Sequence, residues 1–359
     1  MVRNLNMSRI RIKDIAGLAG VSAGTVDRVL HNRGEVSEKT RDRIMAIIRN
    51  SGYQPDILAS TLATKKGFRI AALIPEGTAD SPFWKFPLAG IEEAVREINH
   101  FGVSLDRYYF NFFERESFLR KSSEMLKNNP LGVIMAPVFT GEAVLLLETL
   151  NRKDIPVVLI NANICKGSCL AFIGQDSFQS GMVAARLMHY GLGDDASTLI
   201  VNFIRESGNQ DHILKREEGF RKHYRDSSVY GDSRLIQVNI EENNKAETGN
   251  ILAEAVFSAP HPVKGIFVTN SRVFRVARFL AGNNPGSIRL IGYDLLDENM
   301  DFLRKGTIDF LICQKPREQG YKSIMTLYHH LVLKKKTGKD LYLPIDIITK
   351  ENLEHYLLT

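Results

Sequence analysis

Four polar residues stand where apolar runs of the sequence end: Asn161 after IPVVLI, Asn270 after VKGIFVT, Asp294 after IRLIGY and Gln314 after IDFLIC. Amides offer donors and acceptors, and a carboxylate accepts two hydroxyl groups side by side. If the runs are parallel strands, their carboxyl ends meet at the edge where open α/β sheets bind ligands. Singly, each residue is most simply a loop cap or strand terminator. Together, the four predict a site for a neutral polyhydroxylated ligand such as a sugar.

Two aromatic residues, Phe83 and Trp84 in SPFWKF, follow the first apolar run and could stack on the apolar face of a sugar ring. No paired carboxylates or nucleophile–base set accompanies them. The chain also has none of the nucleotide-binding, P-loop, zinc-protease or esterase motifs. Its nine histidines form no ligand cluster. We therefore expect a binding site without catalytic residues, cofactor or metal.

A second chemical signal lies in residues 21–34, VSAGTVDRVLHNRG. Gly costs about 1 kcal/mol relative to Ala inside a helix, so Gly24 needs a reason. Ala23 and Gly24 have almost no side chain, so the backbone can approach a large anionic partner closely. Thr25 and Arg28 can then reach phosphates or base edges, with Arg28 as a bidentate donor to guanine. The DNA-facing residues predicted for this stretch are Ser22, Ala23, Gly24, Thr25, Asp27, Arg28, His31 and Asn32.

Three short helices are predicted to position these residues. Apolar residues recur at helical spacing from Ile12 to Ala19, and Gly20 ends that helix. Ser22 caps a second helix and Ser37 caps a third, whose isoleucines face inward. Two short helices joined by a tight turn and closed by a third form the helix-turn-helix plan. The alternative is a small protein-binding module that merely tolerates the glycine.

Charge distribution favours the DNA-binding interpretation. The first 66 residues carry twelve Lys and Arg against six Asp and Glu, a net charge of +6, which equals that of the whole chain. No apolar run reaches the roughly 18 residues of a membrane span, and no export signal is evident, so we expect a cytoplasmic protein without a membrane partner. Three cysteines fit a reduced compartment, with Cys165 and Cys169 as plain loop cysteines.

From Phe68 onward, apolar runs alternate with amphipathic stretches. Such runs are typical of parallel sheets covered by helices on both faces. Seven of them are too many for one small sheet, which predicts two lobes. The runs are FRIAALIP, GVIMAPV, IPVVLIN, STLIVNFIR, VKGIFVTN, IRLIGYD and IDFLICQ.

Residues 12–64 closely resemble the DNA-binding head of the lac repressor (LacI/GalR) family. The matching elements are Asp14-Ile15-Ala16, Ala19-Gly20-Val21-Ser22, Thr25-Val26, Arg28-Val29-Leu30, Val36-Ser37, Thr40-Arg41 and Gly52-Tyr53-x-Pro55. Asp27 departs from the family's usual Ser, so the operator sequence is not carried over. The resemblance implies a hinge after Pro55, with Leu62 wedged between base steps in the minor groove; an ordinary linker is the alternative.

The remaining residues resemble the type I periplasmic sugar-binding fold of the same family. SPFW is similar to the ribose-binding segment NPFF, and LKREEGF carries Arg216 where the family has a sugar-binding arginine. Departures fall mainly in the first lobe, where Asn161-Ala162 replaces Asp-Arg; in the second lobe, Ser271 replaces an expected Asp. The ligand is therefore not carried over, and Arg216 leaves an acidic sugar open. The ligand-binding residues predicted by the two lines of argument are Phe83, Trp84, Asn161, Arg216, Asn270, Asp294 and Gln314.

These features predict an α/β protein with an all-α helix-turn-helix head and a two-lobed domain of parallel sheets. The head is expected at 1–54, the hinge at 55–66 and the effector-binding domain at 67–359. Because this fold crosses between its lobes three times, we expect lobe one at about 67–173 and 311–340, and lobe two at about 174–310 and 341–359.

The expected function is an effector-responsive transcriptional regulator, most simply a repressor of carbohydrate-use genes. A homodimer would bind a pseudo-palindromic double-stranded operator, and a sugar or sugar derivative would bind between the lobes. The absence of an added leucine heptad favours a dimer over a tetramer. A solute-binding protein of a transport system is the alternative, but it would need an export signal and no basic head.

Overall fold

The chain divides between residues 64 and 65 into an amino-terminal unit and a larger carboxy-terminal unit. The protein is seen here as a computed structural model. It describes residues 10–30, 34, 36–51, 67–165, 167–192, 196–205, 210–226, 234–242, 247–283, 286–338 and 340–358. The predicted hinge at 55–66, together with Leu62, His31 and Asn32, lies outside these residues.

In the described part of the amino-terminal unit there are three helices: α1 (Ile12–Ala19), α2 (Ala23–Leu30) and α3 (Glu38–Ser51). Its core consists of Ile15, Ala16, Ala19, Val26, Val29 and Ile44, so each helix buries one apolar stripe. Gly20 ends α1 in the left-handed conformation, with φ of 62°. The predicted three-helix plan is therefore confirmed.

Ser22 begins α2 as predicted. Its Oγ accepts a hydrogen bond from the backbone N–H of Thr25 at 3.1 Å and lies 2.9 Å from the Thr25 hydroxyl. This satisfies one of the N–H groups that a helix start leaves without a partner. The turn between α1 and α2 is thus fixed by one glycine and one serine.

The carboxy-terminal unit contains two six-stranded sheets. The strands are β1 (Phe68–Pro75), β2 (Val103–Phe110), β3 (Gly132–Met135), β4 (Val157–Ile160), β5 (Ala171–Gly174), β6 (Ser197–Ile204), β7 (Leu235–Glu241), β8 (Val263–Val268), β9 (Arg289–Tyr293), β10 (Phe310–Cys313), β11 (Asp340–Tyr342) and β12 (Asp346–Ile348). The helices are α4 (Lys85–Ile98), α5 (Arg115–Lys127), α6 (Thr140–Arg152), α7 (Ser177–His189), α8 (Asp211–Asp226), α9 (Thr248–Phe257), α10 (Val273–Asn283), α11 (Asp297–Arg304), α12 (Pro316–Leu331) and α13 (Leu353–Leu357).

The two sheets repeat one topology. Their strand orders are β11-β5-β4-β3-β1-β2 and β12-β10-β9-β8-β6-β7. The first sheet is parallel throughout, and the second is parallel except that β12 runs antiparallel to β10. All seven predicted apolar runs contain a strand, which confirms the expected pair of parallel sheets. Strand β4 of the first lobe corresponds in position to β9 of the second.

The chain crosses between the lobes close to the predicted positions, but two boundaries shift. Residues 311–313 belong to β10 of the second sheet, although they were expected in lobe one. Residues 341–342 belong to β11 of the first sheet, although they were expected in lobe two. In each case the residues pair with a neighbouring strand, β10 with β9 and β11 with β5, and therefore belong to that sheet.

Glycines let one pair of helices pack closely in each lobe. A Cβ at Gly181 in α7 would collide with the carbonyl oxygen of Arg216 in α8, and a Cβ at Gly219 would collide with that of Phe178. In the first lobe, a Cβ at Gly90 or Gly320 would likewise collide with the backbone of the facing helix. Because α8 carries Arg216, the contact at Gly181 fixes the height of that side chain over the sheet.

Cys165 and Cys169, which were expected to be separate loop cysteines, form a disulfide in the loop after β4. Their Cα atoms lie 5.4 Å apart, within the range that a disulfide requires. The turn between them brings the two side chains together, which the spacing alone did not indicate. Within the described part of the chain, no helix has the length and apolar character to cross a membrane.

We predict that Gly181→Ala destabilises the protein by about 1–3 kcal/mol, because the added methyl group must push α7 away from α8. Urea unfolding followed by circular dichroism measures the change. Gly282→Ala is the matched control, since Gly282 lies exposed in α10 and a methyl group there would have no neighbour within 4 Å. It should leave stability unchanged or raise it by up to about 1 kcal/mol. Equal effects of the two substitutions would contradict the close packing of α7 on α8.

Candidate functional site

A cavity lies between the two lobes, at the carboxyl ends of the strands of both sheets. All seven predicted ligand-binding residues line it: Phe83, Trp84, Asn161, Arg216, Asn270, Asp294 and Gln314. The strands β8, β9 and β10, which precede three of these residues, are neighbours in the second sheet. The structure thus brings together side chains from both lobes that are up to 231 positions apart in sequence, from Phe83 to Gln314.

Two of the lining residues have the left-handed backbone conformation. Asn161 has φ of 69° directly after β4, and Asp294 has φ of 65° directly after β9. Asn and Asp tolerate this region better than other side chains, but it remains uncommon outside glycine. The two residues occupy equivalent places in the two lobes, so each lobe turns a short polar side chain at the cleft in the same way.

Asp294 is joined to Arg216 through Gln314. The Gln314 amide nitrogen donates to Oδ2 of Asp294 at 2.7 Å, and its amide oxygen accepts a hydrogen bond from Nη2 of Arg216. The Gln314 backbone N–H also lies 3.4 Å from Oδ1 of Asp294. A single amide therefore orients both a carboxylate and a guanidinium toward the cavity.

Arg216 is held on three sides within the second lobe. Its Nη1 donates to the carbonyl oxygen of Thr269 at 2.7 Å, and the guanidinium carbon lies 3.8 Å from the centre of the Tyr293 ring. Arg216 is 1% exposed, and its Nε has no hydrogen-bond partner among the described residues. Burial lowers the pKa of Arg216, which the charge of Asp294 partly offsets.

Burial also raises the pKa of Asp294 to about 6, while Arg216 and the hydrogen bonds from Gln314 act in the opposite direction. Near neutral pH this carboxylate is therefore ionised but costly to keep so. A carboxylate in this position accepts hydroxyl groups strongly, because each new hydrogen bond offsets part of its lost hydration.

Asn270 has a more structural role than expected. Its Nδ2 donates to the carbonyl oxygen of Phe203 at 2.9 Å, and its Oδ1 accepts from the backbone N–H of Arg272 at 3.1 Å. The side chain thus ties the end of β8 to β6 and shapes the turn that leads to Arg272. One amide hydrogen remains for a ligand.

The aromatic side of the cavity comes from the first lobe. Phe83 and Trp84 are buried and meet edge to face, with ring centres 5.2 Å apart. Trp84 also lies 6.1 Å from the ring of Phe112, which follows β2. These three rings form an apolar wall opposite the polar side chains of the second lobe, an arrangement that suits a ring with one apolar face and polar edges.

Four titratable lining residues escaped sequence reasoning: Arg205, His212, Glu242 and Arg272. Arg205 follows the apolar run STLIVNFI directly, so the rule that found Asp294 would also have found it. Glu242 follows β7, a strand that the sequence did not reveal. Burial, reinforced by the charges of Arg216 and Arg205, lowers the pKa of His212 well below its usual value, so the imidazole is neutral.

Arginines of the second lobe reach across the cleft to the first. Nη1 of Arg205 donates to the carbonyl oxygen of Phe112 at 2.7 Å, and Nη2 of Arg272 donates to that of Asp80 at 2.5 Å. Glu242 lies between them, 3.4 Å from Nε of Arg272 and 3.8 Å from Nε of Arg205. These contacts hold the lobes together around the cavity. Among the described residues, no group of three His, Cys, Asp or Glu side chains could hold a metal.

Six of the eight predicted DNA-facing residues are described: Ser22 directly precedes α2, and the other five lie on it. Ser22, Gly24 and Arg28 are exposed, whereas Ala23, Thr25 and Asp27 are partly buried. Nε of Arg28 lies 3.3 Å from the carbonyl oxygen of Gly24, and Nη2 lies 3.4 Å from the Thr25 hydroxyl. These are long hydrogen bonds at an exposed surface, so the guanidinium can leave them at small cost when a stronger acceptor is present.

The raised pKa of Asp294 generates a prediction about stability. A carboxyl group with a higher pKa in the folded protein than the usual 3.8 binds its proton more tightly there than in the unfolded chain. Its ionisation therefore costs stability progressively as pH rises from 3.8 to about 6, by about 3 kcal/mol in total.

In Asp294→Asn, this cost is removed. We expect the unfolding free energy of the variant, relative to the unmodified protein, to rise by about 2 kcal/mol between pH 4 and pH 7, because the rest of the change lies outside this range. Urea titrations across this range measure the difference, and Asp297→Asn, at an exposed position, controls for the substitution itself. Parallel pH profiles for Asp294→Asn and the unmodified protein would contradict the prediction.

Comparison with known families agrees with both units. Residues 11–56 match the bacterial regulatory proteins of the lacI family, and residues 70–336 match the periplasmic binding protein domain. The chain is 26% identical over 291 residues to the HTH-type transcriptional regulator DegA of Bacillus subtilis, covering 79% of this chain and 81% of that protein. The identity and coverage are the same for the ribose operon repressor of Bacillus subtilis.

A solved structure shows the same relationship. The structure of a LacI transcriptional regulator from Bacteroides fragilis is 31% identical to this chain and covers 81% of it and 100% of the other chain, with a TM-score of 0.73. The helix-turn-helix unit, the paired parallel sheets and these likenesses lead to one conclusion. The chain belongs to the lacI family of bacterial regulatory proteins, which are DNA-binding transcriptional regulators.

Proposed function

We propose that this protein is a homodimeric repressor of carbohydrate-use genes. A sugar or sugar derivative bound between the two lobes sets its affinity for the operator. The observation that carries the proposal is the cavity lined by strand-end polar residues of both lobes opposite an aromatic wall. Each dimer places two helix-turn-helix units on the half-sites of a pseudo-palindrome.

The composition of α2 supports the DNA-binding part. A Cβ at Gly24 would meet only the Ser22 hydroxyl, at 3.8 Å, so packing within the described unit gives no reason for a glycine there. Close approach of the backbone to a DNA groove supplies that reason, and the net charge of +6 in the first 66 residues supplies long-range attraction.

The cavity supports a small effector. Its volume of about 80 Å³ favours a single sugar ring over an oligosaccharide. Asp294, Asn161 and Gln314 supply acceptors and donors for hydroxyl groups, and the Phe83–Trp84 wall faces the apolar side of the ring. The curated relative named as a ribose operon repressor favours the same class of ligand.

Coupling between ligand and DNA follows from the position of the cavity. A ligand that contacts both lobes shifts the balance between open and closed arrangements by its difference in affinity for them. A coupling free energy of about 1–3 kcal/mol between the two sites suffices for regulation. By resemblance to the family, we place Leu62 in the minor groove as the wedge. The hinge that contains it then transmits the change between open and closed lobes to the DNA-binding unit.

The alternative to a transcriptional regulator is a solute-binding protein of a transport system. It would use the same cavity but would have no need of the helix-turn-helix unit. Salt-sensitive binding to duplex DNA separates the two functions, because it is expected of the regulator only.

We predict that Arg28→Ala lowers the preference for the operator by about 1–3 kcal/mol at one base pair of each half-site, because a bidentate contact to guanine is lost. The operator is first selected from a random-sequence duplex library, and affinities for it and its single-base variants are then measured by fluorescence anisotropy. Arg49→Ala removes the same charge from the exposed end of α3 and should change the affinity for all sequences alike. Unaltered base preference in Arg28→Ala would rule out this role.

A second prediction concerns ligand response. A thermal-shift screen of monosaccharides identifies a ligand through its stabilisation of the folded protein, and that ligand should change operator affinity. Asp294→Ala should keep operator affinity but lose the response, because the hydroxyl acceptor and the orientation of Gln314 are lost. Operator affinity that no stabilising ligand changes would overturn the proposed function.

A further inference from the structure

The charges around the cavity are unequal. Among its described lining residues are three arginines, Arg205, Arg216 and Arg272, but only two carboxylates, Glu242 and Asp294. A guanidinium stays charged at all accessible pH values. The pKa of His212 is lowered, so its imidazole is neutral and does not change this balance. The described lining of the cavity therefore carries one more positive charge than its two carboxylates balance.

The excess is concentrated at Arg205 and Arg272, which share the single carboxylate of Glu242. The side chains of Arg205, Arg272 and Glu242 are only 12%, 8% and 7% exposed, so water screens them little. A third guanidinium lies close by, since Nη1 of Arg275 donates to the backbone carbonyl oxygen of Glu242 at 2.9 Å, and the nearby carboxylate of Asp80 partly offsets its charge. Buried charges of one sign are costly unless they are paired.

Among the described residues, both arginines also have N–H groups without a hydrogen-bond acceptor. A guanidinium has five N–H donors. The interactions described for Arg205 are the bond to Phe112, the ion pair with Glu242 and stacking 3.9 Å above the Phe112 ring. Arg272 donates one bond to Asp80 and one to Glu242. An anionic group between them would accept the remaining donors and balance the excess charge.

We infer that the effector is a monosaccharide bearing one anionic group, a carboxylate or a phosphate, and that Arg205 and Arg272 hold this group. The inference rests on the proposed function and names its ligand class. The ring hydroxyls then lie toward Asp294, Gln314 and Asn161, and the ring itself faces the aromatic wall. Because Arg205 and Arg272 also bond to the first lobe, an anion placed on them contributes directly to closure of the cleft.

Matched sugar pairs test the inference on the unmodified full chain. The panel is galactose with galacturonate, and glucose with glucuronate and with glucose 6-phosphate, measured by thermal shift and then calorimetry in chloride buffer. Acetate and inorganic phosphate alone control for simple anions. We expect one charged sugar to bind at least about tenfold more tightly than its neutral counterpart. The carboxylate and phosphate arms distinguish the two kinds of anion.

Arginine variants give an independent readout. Arg272→Met should weaken binding of the charged sugar by at least about tenfold and leave the neutral counterpart much less affected. Arg278→Met is the matched control, because Arg278 lies on α10, six residues after Arg272, with a 65% exposed side chain outside the cavity; it should bind like the unmodified protein. Circular dichroism and melting temperature establish that each variant is folded.

The inference is overturned if a neutral sugar binds as tightly as its charged counterpart, or if no charged sugar in the panel binds. A neutral sugar that binds and changes operator affinity would leave the proposed function intact while removing this ligand class. Charged sugars that bind without changing operator affinity would have the opposite consequence: the ligand class would stand, and the proposed regulation would fail.

Discussion

The structure depends on how the cleft accommodates buried charge. Guanidinium and carboxylate groups lie where water is scarce, and each is tolerable only with partners. Gln314 relays between Asp294 and Arg216, while Glu242 serves Arg205 and Arg272. These partners come from different strand ends of the second sheet, so the charges are paired only when its strands are in register. Buried charges that are only partly paired raise the free energy of the empty cleft, and for the same reason they favour binding of a ligand that completes the pairing.

Much of this arrangement was predictable because it follows simple patterns. The seven central strands are nearly continuous apolar runs, buried on both faces, and their ends pointed to Asn161, Asp294 and Gln314. Helical periodicity and two caps were sufficient for the amino-terminal unit. Missed strands lie largely at edges: β2 and β7 alternate between buried and exposed residues, and β11 and β12 have only three residues each. Losing β7 also concealed Glu242.

Other features depend on contacts that no local pattern encodes. Asn270 was predicted as a ligand contact, yet most of its hydrogen-bonding capacity goes to the backbone at Phe203 and Arg272. The Cys165–Cys169 disulfide depends on a turn that brings the two Cα atoms to 5.4 Å, close enough for the sulfur atoms to bond. Arg272 joins the site only where the lobes face each other, because its acceptor is the carbonyl oxygen of Asp80 in the other lobe, 192 residues away in sequence.

In the proposed regulator, ligand binding in the cleft and affinity for the operator are linked. Linkage is reciprocal, so whatever factor a ligand applies to operator affinity, the operator must apply to ligand affinity. The decisive quantity is the dissociation constant of the ligand, measured for free protein and for protein saturated with operator duplex. We expect the two values to differ by about 5-fold to 150-fold, equal to the effect of the ligand on operator affinity. Identical ligand affinity in both states would contradict the link.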